Sequence, residues 1–289
     1  MRHDRPMTDI IRQRYSCRTY QKVPIDPERR AALAAFVADP GSGPFGAPVR
    51  FCFVAAADDE ARVLRRLSTY GFIRGATAFV VGATSPGPRS LEDFGFLMEE
   101  IILFATALGL GTCWLGGTFS KSGFAARIEL REEEVMPAVT AVGIISEERT
   151  LSDRLVGRAS GNRSRLPWPD LFFDGQFGTP LTTEAAGPYA GPLEMVRLAP
   201  SASNKQPWRV VRAGGAWHFF LERTPGYLTG LARRFVTADL QRVDLGIALD
   251  HFQRTAQDAG LAGSWTVNDP GLTLPTGVTE YVASWHAEC

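Results

Sequence analysis

The sequence has few residues of the kinds that build metal centres or disulfide frameworks. Its four cysteines, Cys17, Cys52, Cys113 and Cys289, are scattered, with no Cys-x-x-Cys pair and no finger-like spacing. Neither a structural zinc site nor a disulfide scaffold is expected, and reduced thiols fit a cytoplasmic protein. The four histidines, His3, His218, His251 and His286, are equally dispersed, which argues against clustered metal or haem ligation. Charge of one sign is also lacking: 31 basic side chains face 31 acidic ones. No global field favours nucleic acid or an anionic membrane, so basic groups that matter must act locally. The longest apolar stretch, around Ile101 to Gly111, is too short to cross a bilayer and contains Thr106. The N-terminal MRHDRPMTDIIRQRYS has no apolar core of signal-peptide length. Partners are therefore expected to be small molecules.

What is present is an internal repeat. Asp93 to Trp114 reads DFGFLMEEIILFATALGLGTCW and Asp244 to Trp265 reads DLGIALDHFQRTAQDAGLAGSW. Both run Asp-apolar-Gly-apolar, a helix, an apolar-Gly-Leu turn and Trp, aligned without a gap. Apolar residues recur at helical spacing in each: Leu97, Ile101, Phe104 and Leu108, then Ile247, Phe252 and Ala256. Asp93 and Asp244 sit where an N-cap or first-turn acid belongs, Gly109 and Gly260 where a helix stops. Upstream, APVRFCFV (Ala47 to Val54) resembles QPWRVV (Gln206 to Val211), each a proline before a strand-like run. The alternative is that two amphipathic helices merely look alike, but Asp, Gly, Leu and Trp coincide at one offset. The chain divides into residues 1–172 and 173–289, with SGNRSRLPWPDLFFDGQFGTP as the connector between the halves.

Helices are expected over Met7–Arg14, Asp26–Ala38 and Ala57–Ser68, and strands over Arg50–Ala55 and Ala78–Ala83. The long helix, a strand-like CWLGG, a short helix pair and a strand in MPAVTAVGII follow. Helices alternating with few, well-separated strands suggest an α+β layered fold.

Four local patterns carry the chemistry. In RYSCRTY, Arg14, Ser16 and Arg18 fall at i, i+2 and i+4 and share a side in extended geometry. Two forked cations about a hydroxyl suit a phosphate, though such a stretch is also compatible with a solvated surface. LAPSASNKQPW, Leu198 to Trp208, is closed by prolines and offers backbone N–H groups with Ser201, Ser203 and Asn204 to a polar ligand edge; a structural turn is the alternative. Gly116 and Gly117 in CWLGG allow backbone to approach a flat ring. GLGTCWLGG follows a helix and opens none, so it is not a dinucleotide fingerprint. In NRSRLPW, Arg163 and Arg165 form a second cationic pair or a basic linker.

Together these pieces resemble the FMN-dependent nitroreductase family, over nearly the whole chain and in the family's order. The APSASNKQPW loop is the most specific single element. The resemblance implies a three-layer α-β-α fold and one FMN. Arg14, Tyr15, Ser16 and Arg18 would bind its phosphate and ribityl end, and Arg163 and Arg165 would close that pocket. Pro200, Ser201, Ala202, Ser203 and Asn204 would line the flavin from the other side. Leu115, Gly116 and Gly117 match the backbone that approaches the flavin N5 edge, although an acidic residue common there is missing. Arg74 is aligned with a charge near the pyrimidine end, or is a surface arginine.

Ordinary members place the arginine-serine start and the Pro-Ser-Asn loop in one chain and share each site between two chains. Here RYSCR occurs only in the first half and APSASNKQPW only in the second. PGSGPFGAPV lacks the asparagine, and TTEAAGPYAGPLEMV stands where a second arginine start would fall. The chain resembles a single-chain, fused-dimer branch of pseudo-symmetric halves, able to act as a monomer. The resemblance implies ping-pong hydride transfer from NAD(P)H to a nitroaromatic, quinone or similar planar acceptor. Tyr70, Phe72 or Trp114 would shape acceptor choice. FMN sequestration with little turnover is the alternative. Reductive dehalogenation or flavin breakdown ranks below both, since no lid insertion is evident.

Overall fold

A computed structural model describes residues 5–55, 73–117, 121–146, 164–227, 238–275 and 277–288. The helix expected over Ala57–Ser68, and Tyr70, Phe72, Asn162 and Arg163, lie outside the described residues. In chain order the first part holds α1 (Met7–Gln13), α2 (Pro27–Ala38), β1 (Val49–Ala55), β2 (Ala78–Thr84), α3 (Ser90–Ala107), β3 (Gly111–Leu115), α4 (Lys121–Arg127) and β4 (Val139–Gly143). The second holds β5 (Phe172–Asp174), α5 (Thr183–Ala186), α6 (Ala190–Leu198), β6 (Trp208–Ala213), β7 (Ala216–Glu222), α7 (Leu240–Asp258), β8 (Gly263–Thr266) and β9 (Thr279–Ala287).

Local chemistry sets several of these boundaries. Asp26 accepts a hydrogen bond from the Arg29 backbone N–H at 3.0 Å and Pro27 occupies the first helical position, so α2 starts there. Asp239 caps α7 in the same way through Gln241. Both long helices end on a left-handed glycine, Gly109 (φ 76°) and Gly260 (φ 74°). In each the next N–H reaches back to the helix, Leu110 to Ala105 and Leu261 to Ala256. Asp93 and Asp244 were expected at an N-cap or in the first turn of their helices, and this holds for Asp93 alone. The helix containing Asp93 begins at Ser90, so Asp93 lies in its first turn; Asp244 lies further inside α7, beyond Asp239. Both carboxylates are used elsewhere.

Two sheets form, with orders β1-β2-β4-β3 and β5-β6-β7-β9-β8. All their pairings are antiparallel except β5 with β6. β5, which spans the 172/173 boundary, therefore lies in the second sheet. The first sheet is buried on both faces. Val80, Val142 and Ala78 pack toward α2 and α3, while Phe79, Val81 and Ala141 pack with Phe124 and Ile128 beneath Cys17 and Tyr20. That gives helix, sheet and helix layers. On the second sheet Val210, Phe219 and Ala283 pack with Leu249 and Phe252 of α7, around Trp208 and Trp285.

The two sheets meet through α3 and α7, the most extensively packed pair of elements. Their crossing is reciprocal. A side chain on Gly95 would overlap the Val243 carbonyl, and one on Gly246 would overlap the Glu92 carbonyl and the Phe96 N–H. Gly246 stands as far after Gly95 as Val243 after Glu92. Glycine inside a helix costs about 1 kcal/mol relative to alanine; here it permits a backbone-to-backbone approach that no other residue allows. α1 adds a smaller contact across the halves, with Met7, Ile10 and Ile11 against Leu103 and Met195.

Close beside that seam lie buried acids. Asp250 of α7 is fully buried, with Arg254 Nε at 3.4 Å, and Arg254 Nη2 reaches Glu100 at 2.6 Å. Burial, with Glu100 and Glu99 alongside, pushes the Asp250 carboxyl well above its ordinary value despite Arg254.

Two outcomes follow from this seam. Gly246→Ala should lower stability by at least about 1–3 kcal/mol through overpacking, read as a drop in the urea midpoint; an unchanged midpoint would mean the helices slide apart freely. Because folded Asp250 holds its proton more tightly than the unfolded residue, its contribution favours folding at low pH. That contribution is lost as pH rises from about 4 toward the raised folded value. Asp250→Asn should therefore raise Tm relative to wild type more at pH 8 than at pH 5. Equal effects at both pH values would show that Asp250 is ionised in the fold.

Candidate functional site

Arg14 follows α1 directly in extended conformation (φ −60°, ψ 129°), which starts the chain along the edge of the first sheet. Ser16 bridges Thr112 of β3 in parallel register and the Cys17 N–H donates to the Thr112 carbonyl at 2.8 Å. Arg18, Thr19 and Tyr20 then pair with Arg74. Arg14, Ser16 and Arg18 converge on the buried Cys113. Its thiol is pushed up to about 11 by burial, against which the Arg18 and Arg14 charges and a bond with Ser16 act. Tyr15 is exposed. Arg74 is exposed too, its backbone held against the Arg18 segment.

Arg14 is deeply buried, its side chain 7% exposed, with Nε 3.7 Å from Glu99 Oε1. Its Nη1 is buried and makes no hydrogen bond among the described residues. Glu99 itself sits in α3 with no exposure and accepts from Trp114 Nε1 at 2.7 Å. Trp114, considered as a determinant of acceptor choice, is thus tied inward by its indole N–H. On the other side of Glu99 stands His251 of α7, its Nε2 3.1 Å from Oε1 and its Nδ1 2.9 Å from the Met195 carbonyl. The sequence reading missed Glu99 and His251. A signal was available: each charged or polar side chain falls on a helix face of apolar neighbours, Phe96, Ile102 and Leu103 for Glu99, Ile247 and Ala248 for His251.

The second half brings its loop to the same place. Arg165 Nη1 donates to Asn204 Oδ1 at 3.0 Å and Nη2 to the Leu198 carbonyl at 3.0 Å. Asn204 Nδ2 donates to the Ser164 carbonyl at 2.9 Å. Burial lowers the Arg165 guanidinium to about 10, helped by the Arg14 and Arg197 charges, so Arg14 and Arg165 share one low-dielectric pocket. The loop is strained: Ser203, Asn204 and Gln206 all adopt left-handed conformations near φ 50°. Three bonds hold it there. Ser201 Oγ accepts the Gln206 N–H at 2.8 Å, Gln206 Oε1 accepts the Leu166 N–H at 2.8 Å, and Asp244 accepts the Ala202 N–H at 2.9 Å. Ser201 and Asn204 therefore spend their polar groups on shaping the loop, while Ser203 is exposed after Pro200 and Ala202. Burial raises the Asp244 carboxyl well above its ordinary value, opposed by the Ala202 bond.

Asp93 does the same for the first half. It accepts from the Phe45 and Ala47 N–H groups at 3.0 and 2.7 Å, and so holds the GPFGAPV turn. Each long helix thus suspends the loop that precedes a strand of its own sheet. At the end of β3, Leu115 is buried, and Leu240 from the start of α7 lies against Gly116, with Gly117 following. The arginine segment, the Gly-Gly backbone and the Ser-Asn loop are accordingly assembled from both halves around the α3–α7 seam. Arg163, the fellow of Arg165, lies outside the described residues.

A family model described as "Putative TM nitroreductase" matches residues 7–256. Among solved structures, that of a nitroreductase from Thermotoga maritima is 18% identical, covers 99% of this chain and 95% of its own, and superposes with a TM-score of 0.61. A nitroreductase from Desulfovibrio desulfuricans in complex with FMN is 23% identical, with 57% of this chain and 99% of that one covered and a TM-score of 0.39. One with bound FMN from Desulfitobacterium hafniense is also 23% identical, with 50% and 92% covered and a TM-score of 0.39. Comparison with curated proteins gives no match. The first of these likenesses supports the fold over the full length; the other two are too partial to carry weight.

Proposed function

The chain belongs to this nitroreductase family, and on that premise we propose that it binds one FMN between its two halves and works as an NAD(P)H-dependent flavin oxidoreductase. The observation that carries the reading is the buried, under-compensated cationic pocket. Arg14 has a buried Nη1 without a hydrogen-bond partner among the described residues, and Arg165 is depressed by burial and by Arg14 beside it. Concentrated buried positive charge is costly unless an anion completes it, and a phosphate dianion with forked acceptor oxygens fits two guanidiniums. The residues present therefore suit FMN at its phosphate end.

Bound there, the flavin would supply redox chemistry between NAD(P)H and a nitroaromatic, quinone or similar planar acceptor. The chain's own residues bind and orient. Arg14, Ser16, Arg18 and Arg165 would hold the phosphate and ribityl end. Backbone at Leu115, Gly116 and Gly117 would approach the ring edge, where the two glycines carry no side chain to keep it away. Pro200, Ser201, Ala202, Ser203 and Asn204 close the opposite side, and Arg74 adds positive charge from the first half. The strain in the loop is consistent with a preorganised wall, since the bonds to Asp244, Leu166 and Ser164 hold it before any ligand arrives. No side-chain nucleophile is needed.

Because both walls come from one chain, the protein should fold and bind flavin as a monomer, with one FMN per chain by flavin absorbance against amino-acid analysis. Two equivalents per chain, or an obligate dimer that loses flavin on dilution, would overturn the single cross-half site. Anaerobic mixing with NADH and NADPH should bleach the flavin, and a nitroarene or quinone should restore its colour; a persistently yellow protein would mean storage without turnover. Arg18→Ala should weaken FMN by about 1.5–3 kcal/mol, the range of a charge-assisted bond, and leave riboflavin nearly unchanged. Equal losses for both ligands would mean that Arg18 supports the fold and does not read phosphate.

A further inference from the structure

The phosphate reading leaves one problem in electrostatics. Glu99 lies 3.7 Å from Arg14 and is fully buried; a bare carboxylate there would cancel the charge that Arg14 offers to a dianion. The geometry of His251 answers it. The Met195 carbonyl accepts only, so Nδ1 at 2.9 Å must carry a hydrogen. Nε2 stands 3.1 Å from Glu99 Oε1, and an unprotonated Nε2 would set a lone pair against a carboxylate oxygen. One additional proton between them resolves the clash.

We propose that His251 donates from both ring nitrogens, so that the His251–Glu99 pair carries no net charge and leaves Arg14 its full positive charge toward a phosphate monoester. The proposal rests on the assignment of Arg14 to the phosphate end of the site. Glu99 and His251 are positioning residues in it, one from each half, separated by 152 positions in the chain. Their surroundings favour this distribution of charge. Burial opposes the ionised Glu99, yet the His251 bond, the Arg14 charge and the Trp114 N–H together hold its carboxyl below the ordinary value. The other charged groups near the pair are Asp250, whose carboxyl is pushed well up by burial and so favours its neutral form, and the Glu100–Arg254 ion pair. Arg165 feels the Arg14 charge directly. The corresponding acid of α7, Asp250, is paired with Arg254 within its own helix, so among the described residues the histidine arrangement stands on one side of the seam. Without that proton the pocket would hold a bare carboxylate, so phosphate binding and proton retention should reinforce one another.

The test compares FMN and riboflavin affinities of the full chain by flavin fluorescence quenching at neutral pH. His251→Gln keeps a donor but not a cation, and should lower the FMN-to-riboflavin affinity ratio by about tenfold, the scale of one charge-assisted bond. Adding Glu99→Gln to it removes the uncovered carboxylate and should restore most of that ratio. Equal loss of both flavins, or no recovery in the double variant, would overturn the proposal. Nitrogen NMR of the flavin-free wild type, with labelled histidine, gives a reading independent of flavin. Two protonated ring nitrogens at His251 at neutral pH support the shared proton, and a bare Nε2 refutes it. Should wild type bind neither flavin, the cofactor assignment fails, and the NMR result still decides the proton.

Discussion

The backbone contact between α3 and α7 is the constraint on which the rest of the molecule depends. Gly95 and Gly246 bring two helices together so closely that a methyl group would overlap main-chain atoms on the other side. Hydrophobic burial alone is non-directional and would tolerate many crossing geometries. A steric requirement at two reciprocal points tolerates few, and so fixes where each sheet stands relative to the other. Asp93 and Asp244 lie two residues before those glycines and translate the crossing into loop positions, each accepting backbone N–H groups from a segment distant in sequence.

Charge is the second organising theme, and it is distributed unequally along the seam. On one side Arg14, Glu99 and His251 form a buried chain leading from the second half to the arginine segment of the first. On the other, Asp250, Glu100 and Arg254 close on themselves. The loops differ in the same sense. The Ser-Asn loop is strained and tied to Arg165, whereas GPFGAPV is held by Asp93 and by Thr84, which donates to the Pro48 carbonyl. Among the described residues, a nearly reciprocal scaffold thus carries Arg14 and Arg165 near one another on one side. Buried ion pairs are weak sources of stability, so this chain of charges is not what holds the two helices together.

Much was legible from residue order alone. Helix starts at Asp26 and ends at Gly109 and Gly260 follow from local hydrogen-bonding needs. The strands of the first sheet followed from short apolar runs, and family membership from a spaced set of Arg, Ser, Asn and Gly. Asp93 and Asp244 stood out by their repeated spacing, which says nothing of the N–H groups they accept from. A cap is the commonest local use of an acid near a helix start, and nothing local announces a bond to Ala47 or Ala202.

What the sequence by itself determined is therefore the set of periodic and short-range features: helical faces, turn glycines, a proline-closed loop, and cations at alternate positions ready for a phosphate. Tertiary structure alone decided that Arg14 would be buried, that Glu99 would lie beside it, and that His251 would reach Glu99 from the opposite half. Periodicity records which way a side chain faces relative to its own helix. It does not record which side chain waits across a seam 152 positions away, because that meeting is set by how two helices cross, and the crossing is set by sterics that act only once both are folded.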